Sequence, residues 1–270
     1  MDLNLPLVSV CMITYNHEPF VSRAIEGVLL QQTDFPIELV ISEDGSDDQT
    51  RAICERYAKE NPEIVRLLPF ESNLGMNKNL FRVFEHSRAD FIGVCEGDDY
   101  WTDPLKLQKQ LTFLKENREF SFCYHRVGVL KGGDLADVIP KAKSGPVGMT
   151  DLLSRQNNKL VSMFFRKTDL LFDYHRFPIE SFATPDFRTS MILSSVGRGY
   201  LLDHTMAIYR WHTGGIYSAL SEIKKLQIGI HNRRAALQHI PMNFKQQMIC
   251  RLMIGLRQLK ILLLKMGWKG

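Results

Sequence analysis

The sequence predicts an α/β fold, a parallel sheet with helices on both faces, and three observations predict it. Four short apolar runs, most of them rich in β-branched residues, alternate with helical spacings over the first 117 residues, the pattern of repeated strand–helix units. The 270 residues are 44% apolar and 24% charged, the balance of a folded chain with a substantial core. The last Asp or Glu is Glu222, and ten Lys and Arg follow it. Those ten exceed the chain's net charge of +4, so the first 222 residues are net acidic and the tail is chemically distinct. The expected division is a domain over 1–217 and a basic helical tail over 218–270.

Leu7 to Ile13 reads as a buried strand, broken by Tyr15-Asn16-His17, and Glu18 to Gln32 then has helical spacing. Ile37 to Ser42 is the second strand. The acidic turn Glu43 to Asp48 follows, and Asp47 or Asp48 is placed to cap a helix over Gln49 to Glu60. Ile64 to Pro69, Met76 to Ser87, Ala89 to Cys95 and Leu105 to Asn117 complete the alternation. Phe120 to Leu130 is strand-like, and Lys131 to Gly148, with four glycines and two prolines, reads as a mobile loop. Tyr200 to Tyr209 is a further strand, and helices are expected from Ser218 to His239 and from Asn243 to Met266. The five cysteines are scattered, form no CxxC pair and lie mostly in apolar runs, which fits thiols in a reducing compartment. With no secretory signal and no spanning stretch visible, the expected location is cytoplasmic.

Ligands of open α/β sheets sit at the carboxyl ends of strands. Polar groups follow each of the four strands: Thr14, Tyr15 and Asn16; Glu43 and Asp44; Asn73 to Asn79; and Glu96, Gly97, Asp98 and Asp99. Adjacent carboxylates repel, and a hard Mn²⁺ or Mg²⁺ bridging them to diphosphate oxygens removes that cost. The structural alternative for the acidic stretch is a capped turn into the helix opened by Asp103-Pro104. For Asp44 it is local turn stabilisation through backbone N–H groups.

Val10 to Asn16, Ser42 to Asp48, Asn73-Leu74-Gly75 and Glu96 to Trp101 with Pro104 together strongly resemble the family 2 glycosyltransferases, over roughly residues 7 to 218. The resemblance implies the GT-A fold, a mixed, mainly parallel sheet flanked by helices. It also implies a nucleotide-diphospho-sugar donor, most often a uridine one, and inversion at the anomeric carbon. Carried onto this chain, Thr14, Tyr15 and Asn16 resemble the loop that packs on base and ribose, and Asp44 the carboxylate that reads the base edge. Asn73 offers an amide to the nucleotide. Asp98 and Asp99 match the motif for ribose and metal, with Asp99 as the metal ligand. Glu96 stands where the family more often has Asp, and its longer arm reaches metal or ribose differently.

Inverting displacement needs a base for the acceptor hydroxyl and counter-charge for the departing diphosphate. Asp186, in Thr184-Pro185-Asp186, resembles the family's base-bearing segment; the alternative is a helix N-terminal acid favoured by the macrodipole. Asp173 and Glu180 are rivals nearby. After the Tyr200–Tyr209 strand, His212 is placed to complete a metal shell or bind diphosphate, with a satisfied structural histidine as the alternative, and Arg210 is placed to neutralise diphosphate. The family's processive synthases carry Gln-x-x-Arg-Trp; here Arg210-Trp211 is preceded by Ala207, which implies single addition.

In the tail, Met248, Ile249, Leu252, Met253, Leu256, Leu259, Leu263 and Met266 fall on one side of a helical wheel, with Lys265 opposite and Ile254 and Ile261 on the far side. Such a basic amphipathic helix fits an anionic membrane surface in-plane; packing on the domain or on a second subunit is the alternative. Nucleic acid is not expected, since aromatic interleaving is missing. The acceptor expected is a saccharide or lipid-linked saccharide. Three other readings compete. A sugar-1-phosphate nucleotidyltransferase needs a Gly-rich basic loop after the first strand, where Tyr15-Asn16-His17-Glu18 stands instead. A paired-carboxylate hydrolase predicts no nucleotide-like loops. A nucleotide-sugar-binding protein without turnover differs only in its chemistry.

Overall fold

The computed structural model describes residues 6–155, 158–174 and 177–268. Met1 to Leu5 and Lys269, which the sequence reading drew on, lie outside the described residues, and so does the side chain of Asp173.

The expected alternation is present as β1 (Val8–Thr14), α1 (Val21–Leu29), β2 (Ile37–Glu43), α2 (Thr50–Glu60), β3 (Val65–Leu67), α3 (Met76–His86) and β4 (Phe91–Val94). A two-residue β5 (Tyr100–Trp101) precedes α4 (Lys106–Glu116). Strands β3-β2-β1-β4 are parallel neighbours in that order. Alternation along β1 splits the interior: Val8, Val10 and Met12 join the core under α1, α2 and α4, while Cys11 and Ile13 join the core under α3. All five cysteines are free and buried.

Beyond α4, β6 (Phe120–Lys131), β7 (Asp134–Ile139), β8 (Gly145–Val147), α5 (Met149–Arg155), β9 (Phe164–Arg166), α6 (Lys167–Tyr174), α7 (Pro185–Val196) and β10 (Arg198–Trp211) complete the domain. The stretch expected to be a loop from Lys131 to Gly148 is instead largely strand. Gly132 and Gly133 both take positive φ (62° and 97°), so two residues suffice to close a hairpin between Lys131 and Asp134. The Gly-Gly pair was the signal, and it marks a turn rather than a long loop.

β9 runs antiparallel to both β4 and β6, so β6 and its parallel neighbour β10 regain the direction of β1 to β4. The carboxyl end of β10 therefore emerges at the same edge as the loops after β1, β2 and β4. β5 pairs antiparallel with β10, setting Tyr100 against Ile208 and Trp101 against Ala207. That register brings Asp99 to Arg210.

Two further helices follow, α8 (Glu222–His239) and α9 (Phe244–Lys265), the latter opened by a reciprocal Asn243–Gln246 capping box. α8 is stitched to the domain by polar groups. The fully buried Arg233 donates to the Leu153 carbonyl, and Asn232 is equally buried.

Lys106, in the first turn of α4, is fully buried, with its Nζ 3.8 Å from the Trp101 ring centroid and donating to Gln110 Oε1 at 2.7 Å. Burial pushes its pKa down to about 7. An unfolded lysine titrates at about 10.4, so between those values the unfolded chain holds a proton that the folded chain does not. Stability conferred at this site therefore rises with pH across that window. Urea unfolding of wild type and Lys106→Met at pH 7.5 and 9.5 should show the difference moving in wild type's favour, by roughly 2 kcal/mol. Parallel pH dependences would show that Lys106 stays charged in the fold.

Candidate active site

The loops at the sheet's carboxyl edge are tied to one another before any ligand is considered. Asn16 takes a positive φ of 54°, which Asn tolerates better than most side chains. Its Oδ1 accepts from the Asp47 amide at 2.9 Å and its own N–H donates to Ser46 Oγ at 2.8 Å. The His17 amide donates to Thr50 Oγ1 at 2.8 Å. The loop after β1 is thus stapled to the loop after β2.

Asp44 is buried, and its two oxygens accept from the Leu74 and Gly75 amides at 2.8 and 2.9 Å. Asn73 Nδ2 donates back to the Asp44 carbonyl at 2.9 Å. Burial pushes the Asp44 carboxyl up, against the two amides. Asp44 thus clamps the loop after β3, a longer-range form of the backbone role weighed for it, and still lines the cleft.

Those loops enclose a cleft of about 440 Å³, lined by Thr14, Tyr15, Asn16, Asp44, Asn73, Glu96, Asp98 and Arg210 among the expected residues. Asn79, the end of the expected Asn73 to Asn79 set, lines it too, whereas reasoning from sequence missed His17, Met76, Tyr209, Ile216 and Tyr217 on its walls. His17 was legible from its place one residue past Tyr15-Asn16; Tyr217 and Ile216 carried no signal.

Gly97 lets the end of β4 approach the β1 loop. A Cβ there would stand 2.4 Å from Thr14 Oγ1 and 3.0 Å from His17 Nδ1. The approach brings Asp98 to two imidazoles: its Oδ2 is 3.3 Å from His212 Nε2 and 3.7 Å from His17 Nε2. Burial opposes ionisation of Asp98, but the His212 hydrogen bond and the fields of both histidines hold it below the usual carboxylate range. Burial lowers His17, with Asp98 pulling the other way.

Asp99 faces elsewhere. It is 1% exposed, and its Oδ1 accepts from the Arg210 amide at 2.8 Å, the contact that β5–β10 pairing dictates. The expectation gave the metal to Asp99 and the ribose to Asp98, yet the carboxylate that lines the cleft beside His212 is Asp98. Burial and the neighbouring Asp98 and Glu96 push Asp99 well above the usual range. Glu96, on the cleft wall, is pushed up to about 8 by burial, Asp98 and Asp186. Arg210 donates from Nη1 to the Asp98 carbonyl at 2.7 Å, with its guanidinium 4.3 Å from the Tyr100 ring centroid and 5.1 Å from that of Phe20.

Asp186 occupies the first turn of α7, after Thr184 and Pro185. It is near enough to Glu96, Tyr209 and Tyr217 to raise the proton affinity of each. The start of α7 is set from α8: Asn232 Nδ2 donates to Thr184 Oγ1 at 2.8 Å, and its Oδ1 accepts from the Ala183 amide at 2.7 Å. Glu180 is 69% exposed at its side chain and paired with Lys78.

No group of three or more His, Cys, Asp and Glu side chains among the described residues is arranged to enclose a metal ion. Asp98 with His212 makes a partial shell of one carboxylate and one imidazole. That donor set fits Mn²⁺ or Mg²⁺ shared with substrate phosphates and water, the way Mg²⁺ is commonly held.

A model of the family described as Glycosyl transferase family 2 matches residues 9–176. The chain belongs to glycosyl transferase family 2. Among curated relatives, an uncharacterized protein of Mycobacterium tuberculosis, Rv1520, is 32% identical over 221 residues, covering 81% of this chain and 63% of that protein. The chain therefore spans under two thirds of that relative's length.

Among solved structures, S. aureus TarS 1–349 in complex with UDP-GlcNAc superposes with a TM-score of 0.72 at 19% identity, covering 94% of this chain and 72% of that one. The mannosyltransferase PcManGT from Pyrobaculum calidifontis, in complex with GDP-Man and Mn²⁺, gives 0.69 at 17% identity, covering 98% and 76%. These likenesses show the fold, which is the GT-A fold expected of a family 2 chain.

Proposed function

We propose that this family 2 chain is a metal-dependent, inverting glycosyltransferase. It takes a sugar from a nucleoside-diphospho-sugar, a uridine one in the specific form of the reading, and adds it once to an acceptor hydroxyl. The acceptor belongs to surface-glycan or lipid-linked saccharide synthesis, and the enzyme works at the inner face of the cell membrane. The observation that carries the reading is the Asp98 carboxylate set between His212 and His17 on the cleft, with Arg210 anchored beside it. Single addition is supported by Ala207 in place of a Gln.

In this reading Thr14, Tyr15, Asn16, Asp44 and Asn73 receive base and ribose. Asp98 and His212 would hold the Mn²⁺ or Mg²⁺, which would supply Lewis-acid stabilisation to the leaving diphosphate. Asp99 has a positioning task, fixing the Arg210 backbone so that the guanidinium faces the diphosphate. Asp186 removes the acceptor hydroxyl's proton as that oxygen bonds to the anomeric carbon from the face opposite the diphosphate. The bond to diphosphate breaks in the same displacement, its electron pair leaving with the phosphate oxygen.

Thermal unfolding with UDP, GDP, CDP and TDP, each with Mn²⁺ and with chelator, tests the reading. One nucleotide should raise Tm by about 5 °C at a hundredfold excess over Kd, and chelator should remove the shift. A folded protein that responds to none of the four overturns the donor assignment.

A further inference from the structure

Helix α9 has two apolar faces, and among the described residues only one of them is covered. The inner face is pinned. Cys250 is buried and donates from Sγ to the Arg233 carbonyl at 3.3 Å, and Ile249 packs on the main core. Arg257 lies over Gly229 of α8, where a Cβ would stand 2.6 Å from its Nε. These contacts set the rotation of the helix, and the wheel drawn from sequence shifts accordingly: Ile249, Met253 and Leu263 are half-buried, while Leu262 turns outward.

On the outer face Met248, Leu252, Leu256, Leu259, Leu262 and Met266 recur every three or four residues, each between 50% and 75% exposed. The stripe runs the length of a 22-residue helix, about 33 Å at the usual rise. A continuous apolar stripe of that size marks an interaction surface.

Charge selects the occupant. Glu222 is the last acid of the chain, and its carboxylate is engaged by Lys260 Nζ at 2.6 Å. Lys245, Arg251 and Lys265 on α9, and Lys224 and Arg234 on α8, are exposed cations. A two-fold pairing of two such helices would set basic flank against basic flank with no acid on α9 to offset either. An anionic lipid surface satisfies both halves of the pattern, acyl chains for the stripe and phosphates for the flanks.

We infer that α9 lies in the plane of an anionic membrane, apolar stripe down, as this protein's docking surface. The C-terminal half of the helix adjoins the cleft. Lys260 pairs with Glu222, and Arg257 is near enough to Tyr217 of the cleft wall for their charges to interact. Ile216 and Tyr217 beside it are 66% and 40% exposed. Docking thus sets the lip of the cleft close to the bilayer, where a membrane-borne acceptor is presented. That last consequence rests on the transferase reading; the docking does not.

The test is flotation of the full chain with vesicles of phosphatidylcholine alone and with about 30% phosphatidylglycerol. Selective binding to the anionic vesicles, weakened by about 0.5 M salt, is expected. Leu252→Asp/Leu259→Asp and Arg251→Glu/Lys265→Glu should each lower partitioning about tenfold or more. Both pairs sit on the solvent face, so unfolding temperature and the nucleotide-dependent Tm shift should stay as in wild type, which separates a failure of docking from a failure of the donor assignment. Equal binding to neutral vesicles, no binding, or an unchanged partition in the variants overturns the inference. So does a dimer in sedimentation velocity that Leu252→Asp/Leu259→Asp dissociates.

Discussion

Asp98→Asn should remove the Mn²⁺ dependence of nucleotide binding and lower kcat on the order of 10³-fold. The substitution keeps the size of the side chain and deletes the charge that His212 and His17 face at 3.3 and 3.7 Å. The two imidazoles hold the Asp98 carboxyl below the usual range, whereas burial and like charge push Asp99 and Glu96 up. A cation therefore meets its charge complement at Asp98. His212→Ala should be milder, about ten- to a hundredfold in metal affinity, because Asp98 and the diphosphate still hold the ion. Calorimetric titration with nucleotide, with and without Mn²⁺, separates the cases. Should Asp99→Asn lose the metal effect while Asp98→Asn keeps it, the metal belongs to Asp99 as first read from sequence.

Asp186→Asn should lower kcat by about 10²- to 10⁴-fold while leaving nucleotide affinity close to wild type. The side chain sits in the first turn of α7, where losing its charge costs about 0.3 to 1 kcal/mol of helix stabilisation. A fall in kcat at constant nucleotide affinity and near-constant Tm thus isolates proton removal from folding. Glu96 is the competitor on the cleft wall, but a carboxyl pushed up to about 8 carries its proton at neutral pH and is poorly suited to accept another. Unchanged turnover in Asp186→Asn, with turnover lost in Glu96→Gln, would move the base to Glu96. Binding retained with no turnover in wild type would return the reading to a nucleotide-sugar-binding protein.

Much of the site was legible because its parts lie directly after strands. Thr14, Tyr15, Asn16, Asp44, Asn73, Glu96 and Asp98 were found from strand ends alone, and all line one cleft. The different surroundings of Asp98 and Asp99 were not legible. Two adjacent carboxylates look alike in sequence, and only the pairing of β5 with β10 turns Asp99 onto the Arg210 amide. Asn232 was equally silent. A lone Asn in a helix gives no sign that it orders Thr184 and Ala183, some fifty residues earlier, at the start of the helix that carries Asp186.

The sequence by itself determined the alternating units, the convergence of their polar loops on one sheet edge and the acid-free tail; the Gly-Gly turn and the Asn243 cap are as local, though 131–148 reads as a loop and the cap was not named. Each is written in near neighbours: side-chain period, glycine conformational freedom and short capping contacts act over a few residues. The tertiary structure decided which distant groups meet. The antiparallel β9 restores β10 to the common direction and so delivers His212 to Asp98 across 114 residues. The packing of Cys250 and Arg257 likewise selects the face that α9 leaves to solvent. Strand register and helix rotation are settled by the whole core at once, and no local stretch of sequence contains them.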